Sequence, residues 1–148
     1  MKIILNLLLT AILCSSITAY AGSHRATHYP VSVDLQLPFS EAVRVGHMLY
    51  LSGQLGFDRK TSKLVAGGIG PETRQTLENI KATLEKHGSS LAEVVKCTVY
   101  LADIGEWAAM NEVYTTYFPS NPPARSALGS SGLALGARTE IECMATVE

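Results

Sequence analysis

One stretch near the C-terminus decides the fold of this chain: Pro123-Ala-Arg-Ser-Ala-Leu-Gly-Ser-Ser-Gly-Leu-Ala-Leu-Gly-Ala-Arg-Thr-Glu-Ile-Glu142. Two apolar-rich segments, 124–128 and 138–147, flank a glycine-rich connection, and this pattern predicts a strand, a turn and a second strand. Because side chains alternate along a strand, the last strand should turn one apolar face towards the core. Its other face carries Glu140 and Glu142, which should point to solvent, a cleft or another subunit.

The residues before this stretch alternate between strand and helix patterns. A hairpin is predicted at 41–52, and a helix at 71–87, where leucine and isoleucine recur at helical spacing. A strand follows at 94–102, and a second helix begins near Asp103 and ends before Pro119. The apolar side chains on one face of that helix are predicted to pack in the core: Trp107, Met110, Tyr114 and Tyr117.

This order of elements predicts an α+β domain in which two helices pack on one face of a mixed sheet. The other face of the sheet is then left bare, although much of it is apolar. Its predicted members are Met48, Tyr50, Thr98, Tyr100 and Met144, together with the carboxylates of the last strand. A face of this kind needs a partner, and homo-oligomerisation is the simplest way to cover it.

Residues 1–21 have the pattern of a signal peptide: Lys2, an apolar run, and Ala19-Tyr20-Ala21 as a cleavage site. A retained N-terminal anchor and a lipoprotein signal modified at Cys14 are the alternatives. We expect an exported protein, periplasmic or secreted, with no stable membrane association after cleavage. Residues 22–30 are predicted to be a flexible, solvated leader, and 31–148 a single domain.

Charge and cysteine content limit the partners and the covalent chemistry. Removal of the predicted signal peptide would lower the formal charge from −1 to −2, and no basic run remains, which argues against nucleic acid as a ligand. Cys97 and Cys143 both lie on apolar strand faces. We favour free buried thiols there, with a single disulfide as the alternative.

Few residues offer chemistry, and none of them forms the spacing of a metal site or a nucleotide-binding loop. Arg125 offers a planar fork that matches a carboxylate, and Glu140 offers a base for a water molecule. Backbone amides around Ser52-Gly53 and Ala127 are candidates to hold the substrate. Together these groups suit the hydrolysis of a C=N bond in a small carboxylic acid, without metal or cofactor.

The motif Pro123-Ala-Arg-Ser126, then Leu128, Leu133 and Ile141-Glu142, resembles the signature of the RidA (YjgF) family. The strand end Ser52-Gly53-Gln54 also matches, and the resemblance runs from Val31 to the C-terminus. It implies chorismate-mutase-like subunits, a homotrimer with active sites between neighbours, and deamination of 2-iminobutanoate and 2-iminopropanoate.

The resemblance also assigns roles to single residues. Arg125 corresponds to the carboxylate-binding arginine of the family, and Glu140 corresponds to the glutamate that activates water. Two further family positions at the cleft correspond to Ser52 and Asn111. Phe39 stands where many active members have a tyrosine, and Ala127 where some have a cysteine. The missing tyrosine keeps a second reading open, a non-catalytic module that binds a small carboxylate or a partner; ribonuclease action, described for some members, fits an acidic exported chain poorly.

Overall fold

The structure, a computed structural model, describes residues 25–32 and 37–148. The predicted signal peptide, 1–21, lies outside the described residues. Strands and helices alternate along this part of the chain. The strands are β1 (Thr27–Pro30), β2 (Ser40–Val45), β3 (Met48–Leu51), β4 (Gln54–Leu55), β5 (Phe57–Asp58), β6 (Lys63–Leu64), β7 (Val94–Leu101), β8 (Ala124–Gly129) and β9 (Thr139–Thr146), and the α-helices are α1 (Ile69–Lys86) and α2 (Trp107–Tyr117).

One mixed sheet forms the body of the protein. Its strands lie in the order β1-β2-β3-β9-β7-β8, and the short β4 pairs with β9 beyond the end of β3. Only β7 and β8 pair in parallel; the other pairs are antiparallel. The predicted mixed sheet with two helices is confirmed. The two strands of the C-terminal stretch, however, are not neighbours, because β7 lies between β8 and β9.

The helices cover one face of this sheet and enclose the core. On α1 the apolar side chains that recur at helical spacing, Leu77, Ile80 and Leu84, are fully buried. On β9 the predicted alternation is confirmed, since Ile141, Cys143 and Ala145 are buried and the residues that alternate with them are partly or largely exposed. The sheet therefore has a helix-covered face and an open face.

A disulfide joins β7 to β9 within the core. Cys97 and Cys143 are direct cross-strand neighbours with their Cα atoms 4.1 Å apart, and their sulfurs are bonded. The favoured sequence interpretation, two free thiols, is therefore wrong. The side chains point to the same face because the antiparallel register places the two residues opposite each other.

The predicted leader at 22–30 is in part a strand. Thr27–Pro30 pairs antiparallel with β2, and the ring of Tyr29 stacks on that of His87 at the end of α1, with centroids 4.2 Å apart. Its sequence has no alternating apolar pattern. The strand forms because the edge of β2 offers unpaired backbone groups, and because Tyr29 finds an aromatic partner.

Candidate active site

The guanidinium of Arg125 lies beside helix α2, at the edge of the sheet. Arg125 is the Cα partner of Cys97 in the parallel β7–β8 pair, so its side chain points to the helix-covered face. There its Cζ lies 4.5 Å from the ring centroid of Tyr114 and 5.9 Å from that of Trp107. Trp107, expected in the core, is 44% exposed. It forms an outer wall for the arginine instead.

No carboxylate among the described residues neutralises Arg125. Within residues 25–32 and 37–148 its guanidinium forms neither a hydrogen bond nor an ion pair, so its five N–H donors remain free for another molecule. Burial raises the pKa of Tyr114 to about 12, although the charge of Arg125 opposes this shift. Tyr114 is therefore a neutral ring at physiological pH, and it provides the arginine with a π face.

Asn111 belongs to the same site. It follows Trp107 by four residues and precedes Tyr114 by three, a spacing that puts all three on one side of α2. Its Oδ1 is buried and has no hydrogen-bond partner among the described residues, and the same holds for the hydroxyl of Tyr114. Buried polar atoms without partners are uncommon. Ala127 follows Arg125 on the same face of β8, where it packs against the core.

Glu140 lies on the opposite face of the sheet, half buried, against the backbone of Gly53. A Cβ atom at Gly53 would stand 2.0 Å from Oε1 of Glu140, so only glycine allows the carboxylate to lie there. Desolvation by burial raises the pKa of Glu140, and the negative charge of Glu142 on the same face raises it further. A carboxyl with a raised pKa is a better general base near neutral pH than an ordinary glutamate.

Ser52 positions this part of the chain rather than offering free donors. Its backbone N–H donates to the carbonyl of Glu41 (3.1 Å), and its hydroxyl donates to the carbonyl of Ser40 (2.6 Å). The Ser52 amide is therefore engaged within the chain, and substrate binding by the Ser52-Gly53 segment stays a prediction. Its hydroxyl oxygen keeps the capacity to accept a hydrogen bond.

A single protomer does not bring Arg125 and Glu140 together. They lie on opposite faces of the sheet, on strands separated by β7. From a strand, a turn and a second strand we expect two neighbouring strands whose arginine and glutamate face one hollow, and this expectation is wrong for the single chain. The chain instead carries two separate clusters of candidate residues, which we call the cationic half-site (Arg125, Trp107, Asn111, Tyr114) and the acidic half-site (Glu140, Gly53, Ser52).

A cavity of about 460 Å³ adjoins the acidic half-site. Ser52 and Gly53 form part of its wall, and the ring of Phe39, 54% exposed, stands at its mouth. The structure thus places three of the residues suggested by the resemblance at one cavity.

A buried carboxylate joins this cavity to helix α1. Glu41 is 2% exposed and accepts hydrogen bonds from Lys86 (2.6 Å) and Arg59 (3.1 Å), and its carboxylate lies 3.3 Å from Nε2 of His87. Burial alone would raise the pKa of Glu41, but the hydrogen bonds from these basic groups outweigh it and lower the pKa. The cluster ties β2, the β5–β6 hairpin and α1 together, and the buried carboxylate is paired with two cationic groups.

In the described part of the chain, no group of three or more His, Cys, Asp and Glu side chains is arranged to hold a metal ion. No helix among those residues combines the length and the hydropathy that crossing a bilayer requires.

Sequence reasoning missed the aromatic residues around Arg125. The sequence predicts core packing for Trp107 and Tyr114, and it suggests Asn111 for the site only through the family resemblance. Their spacing, i, i+4 and i+7, was the signal that could have grouped them on one helix face. What it does not reveal is that Arg125, on a strand that follows α2, packs against this face.

Comparison with known proteins identifies the family. The family model described as Endoribonuclease L-PSP matches residues 31–147. A RutC family protein of Pyrococcus horikoshii is 48% identical over 111 residues, 75% of this chain and 88% of that protein. The human 2-iminobutanoate/2-iminopropanoate deaminase is 44% identical over 108 residues, 73% of this chain and 79% of that protein.

Solved structures agree with these matches. The crystal structure of RidA from the Antarctic bacterium Psychrobacter sp. PAMC 21119 superimposes with a TM-score of 0.72 at 38% identity, covering 84% of this chain and 98% of that one. The chain therefore belongs to the Endoribonuclease L-PSP family, the family of the RidA and YjgF proteins.

Proposed function

We propose that this protein hydrolyses reactive 2-imino acids, and their enamine tautomers, to 2-oxo acids and ammonia, as an exported homotrimer. One observation carries the proposal: Arg125 is held against two aromatic rings and has no anionic partner in the described part of the chain. A free guanidinium of this kind suits a carboxylate, which it binds through two parallel hydrogen bonds. The name of the human relative supplies the reaction type.

The proposed chemistry needs only binding, orientation and proton transfer. Arg125 fixes the substrate carboxylate and thereby holds C2 of the imine in place. Glu140 takes a proton from a water molecule as the water oxygen bonds to C2, and this proton passes to the imine nitrogen. In the resulting carbinolamine a proton moves from the hydroxyl to the nitrogen, the C–N bond breaks, and ammonia leaves as the carbonyl forms.

The active site in this proposal lies between two protomers. Because Arg125 and Glu140 open on opposite faces of one sheet, the site is complete only when the cationic half-site of one protomer meets the acidic half-site of another. A closed ring of protomers repeats this heterologous contact at every interface. The homotrimer is the ring that the family resemblance implies.

The test supplies 2-iminopropanoate, generated from alanine by an amino-acid oxidase, in the presence of semicarbazide as a competing trap. We expect the protein to lower the yield of semicarbazone and to raise that of pyruvate. Arg125→Ala should lower kcat/KM by about 10- to 100-fold, the worth of hydrogen bonds to a charged group. Arg74→Ala, which removes an exposed arginine from α1, is the matched control and should behave as the wild type. Equal rates for wild type and Arg125→Ala would refute the proposal.

A non-catalytic binding module is the second candidate, and Phe39 is the observation that favours it. Its ring stands at the cavity without the hydroxyl that many active members carry there. A binding module would be stabilised by pyruvate in an Arg125-dependent way, would be indifferent to Glu140→Gln, and would not change the semicarbazone yield. Ribonuclease action, named in the family description, is disfavoured because a formal charge of −1 offers no basic surface for RNA.

Export is the third part of the proposal, and the Cys97–Cys143 disulfide supports it. Disulfides persist in the periplasm and outside the cell, whereas the cytosol keeps thiols reduced. The measurement is a fusion of residues 1–21 to alkaline phosphatase, which is active only after export. An inactive fusion, with the protein retained in the cytoplasm, would remove this part of the proposal.

A further inference from the structure

The cavity beside the acidic half-site is larger than a short-chain substrate requires. Its volume, about 460 Å³, falls in the range of roughly 300–1,000 Å³ that accepts drug-sized ligands. The side chain of 2-iminobutanoate is an ethyl group, and that of 2-iminopropanoate is a methyl group. In a single chain, before a second protomer covers it, this space is larger than a methyl or an ethyl group fills, and a larger apolar side chain would make more contacts there.

Apolar side chains dominate the walls of this cavity. They come from three separate parts of the fold: Leu37 and Phe39 before β2, Leu55 and Phe57 on the short strands, and Leu135 before β9. The ring at position 39 adds no hydroxyl to this lining. A cavity of this composition binds hydrocarbon and offers little to a polar substituent.

Three of the polar side chains that line the cavity are already engaged within the chain. Glu41 and Arg59 are paired with each other. Asn79 donates to the carbonyls of Leu55 and Phe57, at 2.9 Å each, and its oxygen accepts from Gln75. Glu41, Arg59 and Asn79 therefore have hydrogen-bond partners in the cavity wall without a polar ligand.

Leu135 is the most informative wall residue. It is 71% exposed and adopts a left-handed backbone conformation (φ 59°), which is unusual for a bulky residue that is not glycine. A large apolar side chain is thus held in water, at a conformational cost, at the mouth of an apolar cavity. Burial of the Leu135 side chain against an apolar ligand would offset the free energy of this backbone conformation.

Gly53 joins the cavity to the reacting groups. It lines the cavity, and its Cα lies against the carboxylate of Glu140. We infer that the cavity receives the side chain of the substrate, and that the protein selects 2-imino acids with branched aliphatic or aromatic side chains over 2-iminopropanoate and 2-iminobutanoate. This inference rests on the proposed function and narrows its substrate class.

The test compares kcat/KM for imines generated in situ from alanine, 2-aminobutyrate, leucine and phenylalanine. Each methylene placed in a fitting apolar pocket is worth about tenfold or more in kcat/KM, so the leucine and phenylalanine imines should exceed the alanine imine by at least that factor. Leu135→Ser should reduce the ratio of leucine imine to alanine imine. Val95→Ser is the matched control, because Val95 is an exposed apolar residue outside the cavity and should leave the ratio unchanged.

A binding measurement separates this inference from the proposed function. The wild type should bind 2-oxo-4-methylpentanoate and phenylpyruvate at least about tenfold more tightly than pyruvate by calorimetry, whether or not it turns over imines. Absence of all turnover together with this binding order would refute only the deaminase proposal. Turnover with equal or falling kcat/KM along the series would refute only the inference. A Leu135→Ser variant that changes the oligomeric state but not the selectivity would also overturn it.

Discussion

At the scale of single residues, the two groups that we assign to the reaction differ in how the fold prepares them. Arg125 is prepared by what surrounds it, since aromatic faces hold its guanidinium without consuming its hydrogen-bond donors. Glu140 is prepared by partial removal from water and by a neighbouring carboxylate. Both make its ionised form less favourable and so raise its pKa. Neither effect can be judged from the residue type alone.

The pH dependence of deamination should report the raised pKa of Glu140. Because the base acts in its ionised form, kcat/KM should fall as the pH drops through a pKa above the usual glutamate range. Glu140→Gln should lower kcat/KM by about 100- to 10,000-fold and abolish this acid limb. Glu142→Gln removes the negative charge that helps to raise the pKa of Glu140. The acid limb of this variant should therefore move to lower pH, while its maximal kcat/KM stays close to that of the wild type. An acid limb that stays in place in both variants would contradict the assignment.

Trp107 should report and support carboxylate binding by Arg125. It is the only tryptophan in the sequence and lies beside the guanidinium, so a bound 2-oxo acid should change its fluorescence. Trp107→Leu should weaken binding by about two- to fivefold, the worth of a partly exposed cation–π contact, and raise KM more than it lowers kcat. Trp107→Phe keeps an aromatic face and should recover most of the affinity. Equal losses in the two variants would show that the residue only fills space.

At the scale of elements, periodicity sufficed for the helices and the hairpin but not for long-range pairing. The recurrence of Leu77, Ile80 and Leu84 locates α1 and its buried face, because helix geometry is local. The insertion of β7 between β8 and β9 depends on contacts between distant segments, which no local pattern encodes. For the same reason the Cys97–Cys143 pair could not be chosen from the sequence: two cysteines on apolar faces bond only if the register places them opposite each other.

In the candidate site, too, some residues could be predicted from local sequence and others depend on long-range packing. Arg125, Glu140 and Ser52 were predicted from their chemistry and from the family motif, whereas the aromatic wall at Trp107 was not predicted. The motif lies within strands, and the wall comes from a helix that packs on them. The strand Thr27–Pro30 could not be predicted either. Its own sequence has no strand pattern, and it is ordered by pairing with β2.

The disulfide between β7 and β9 should contribute substantially to stability. It closes a sequence separation of 46 residues, for which chain entropy predicts a stabilisation of about 4 kcal/mol. The double variant Cys97→Ala/Cys143→Ala and the chemically reduced wild type should both lose about 2–4 kcal/mol of unfolding free energy in a urea titration. Oxidised and reduced wild type with the same urea midpoint would mean that the bond adds nothing.

At the scale of the whole molecule, the open face of the sheet is the surface most in need of a partner. Tyr50 and Met144 are cross-strand neighbours there, 40% and 37% exposed, and Leu128 at the far edge is 43% exposed. Apolar side chains on a face this broad are usually covered in an assembly. The proposed function requires such an assembly as well, because one chain keeps Arg125 and Glu140 on opposite faces of the sheet.

Mixing two inactive variants should therefore restore activity. Arg125→Ala protomers retain the acidic half-site, and Glu140→Gln protomers retain the cationic one, so a mixed ring contains some interfaces in which both groups are intact. After co-refolding at equal amounts, random assembly into a cyclic oligomer should recover about a quarter of the wild-type rate. Each variant alone and the double variant Arg125→Ala/Glu140→Gln mixed with wild type provide the baselines. A mixture no more active than its components, with mixed oligomers confirmed by mass spectrometry, would place both groups in one protomer's site and refute the shared cleft.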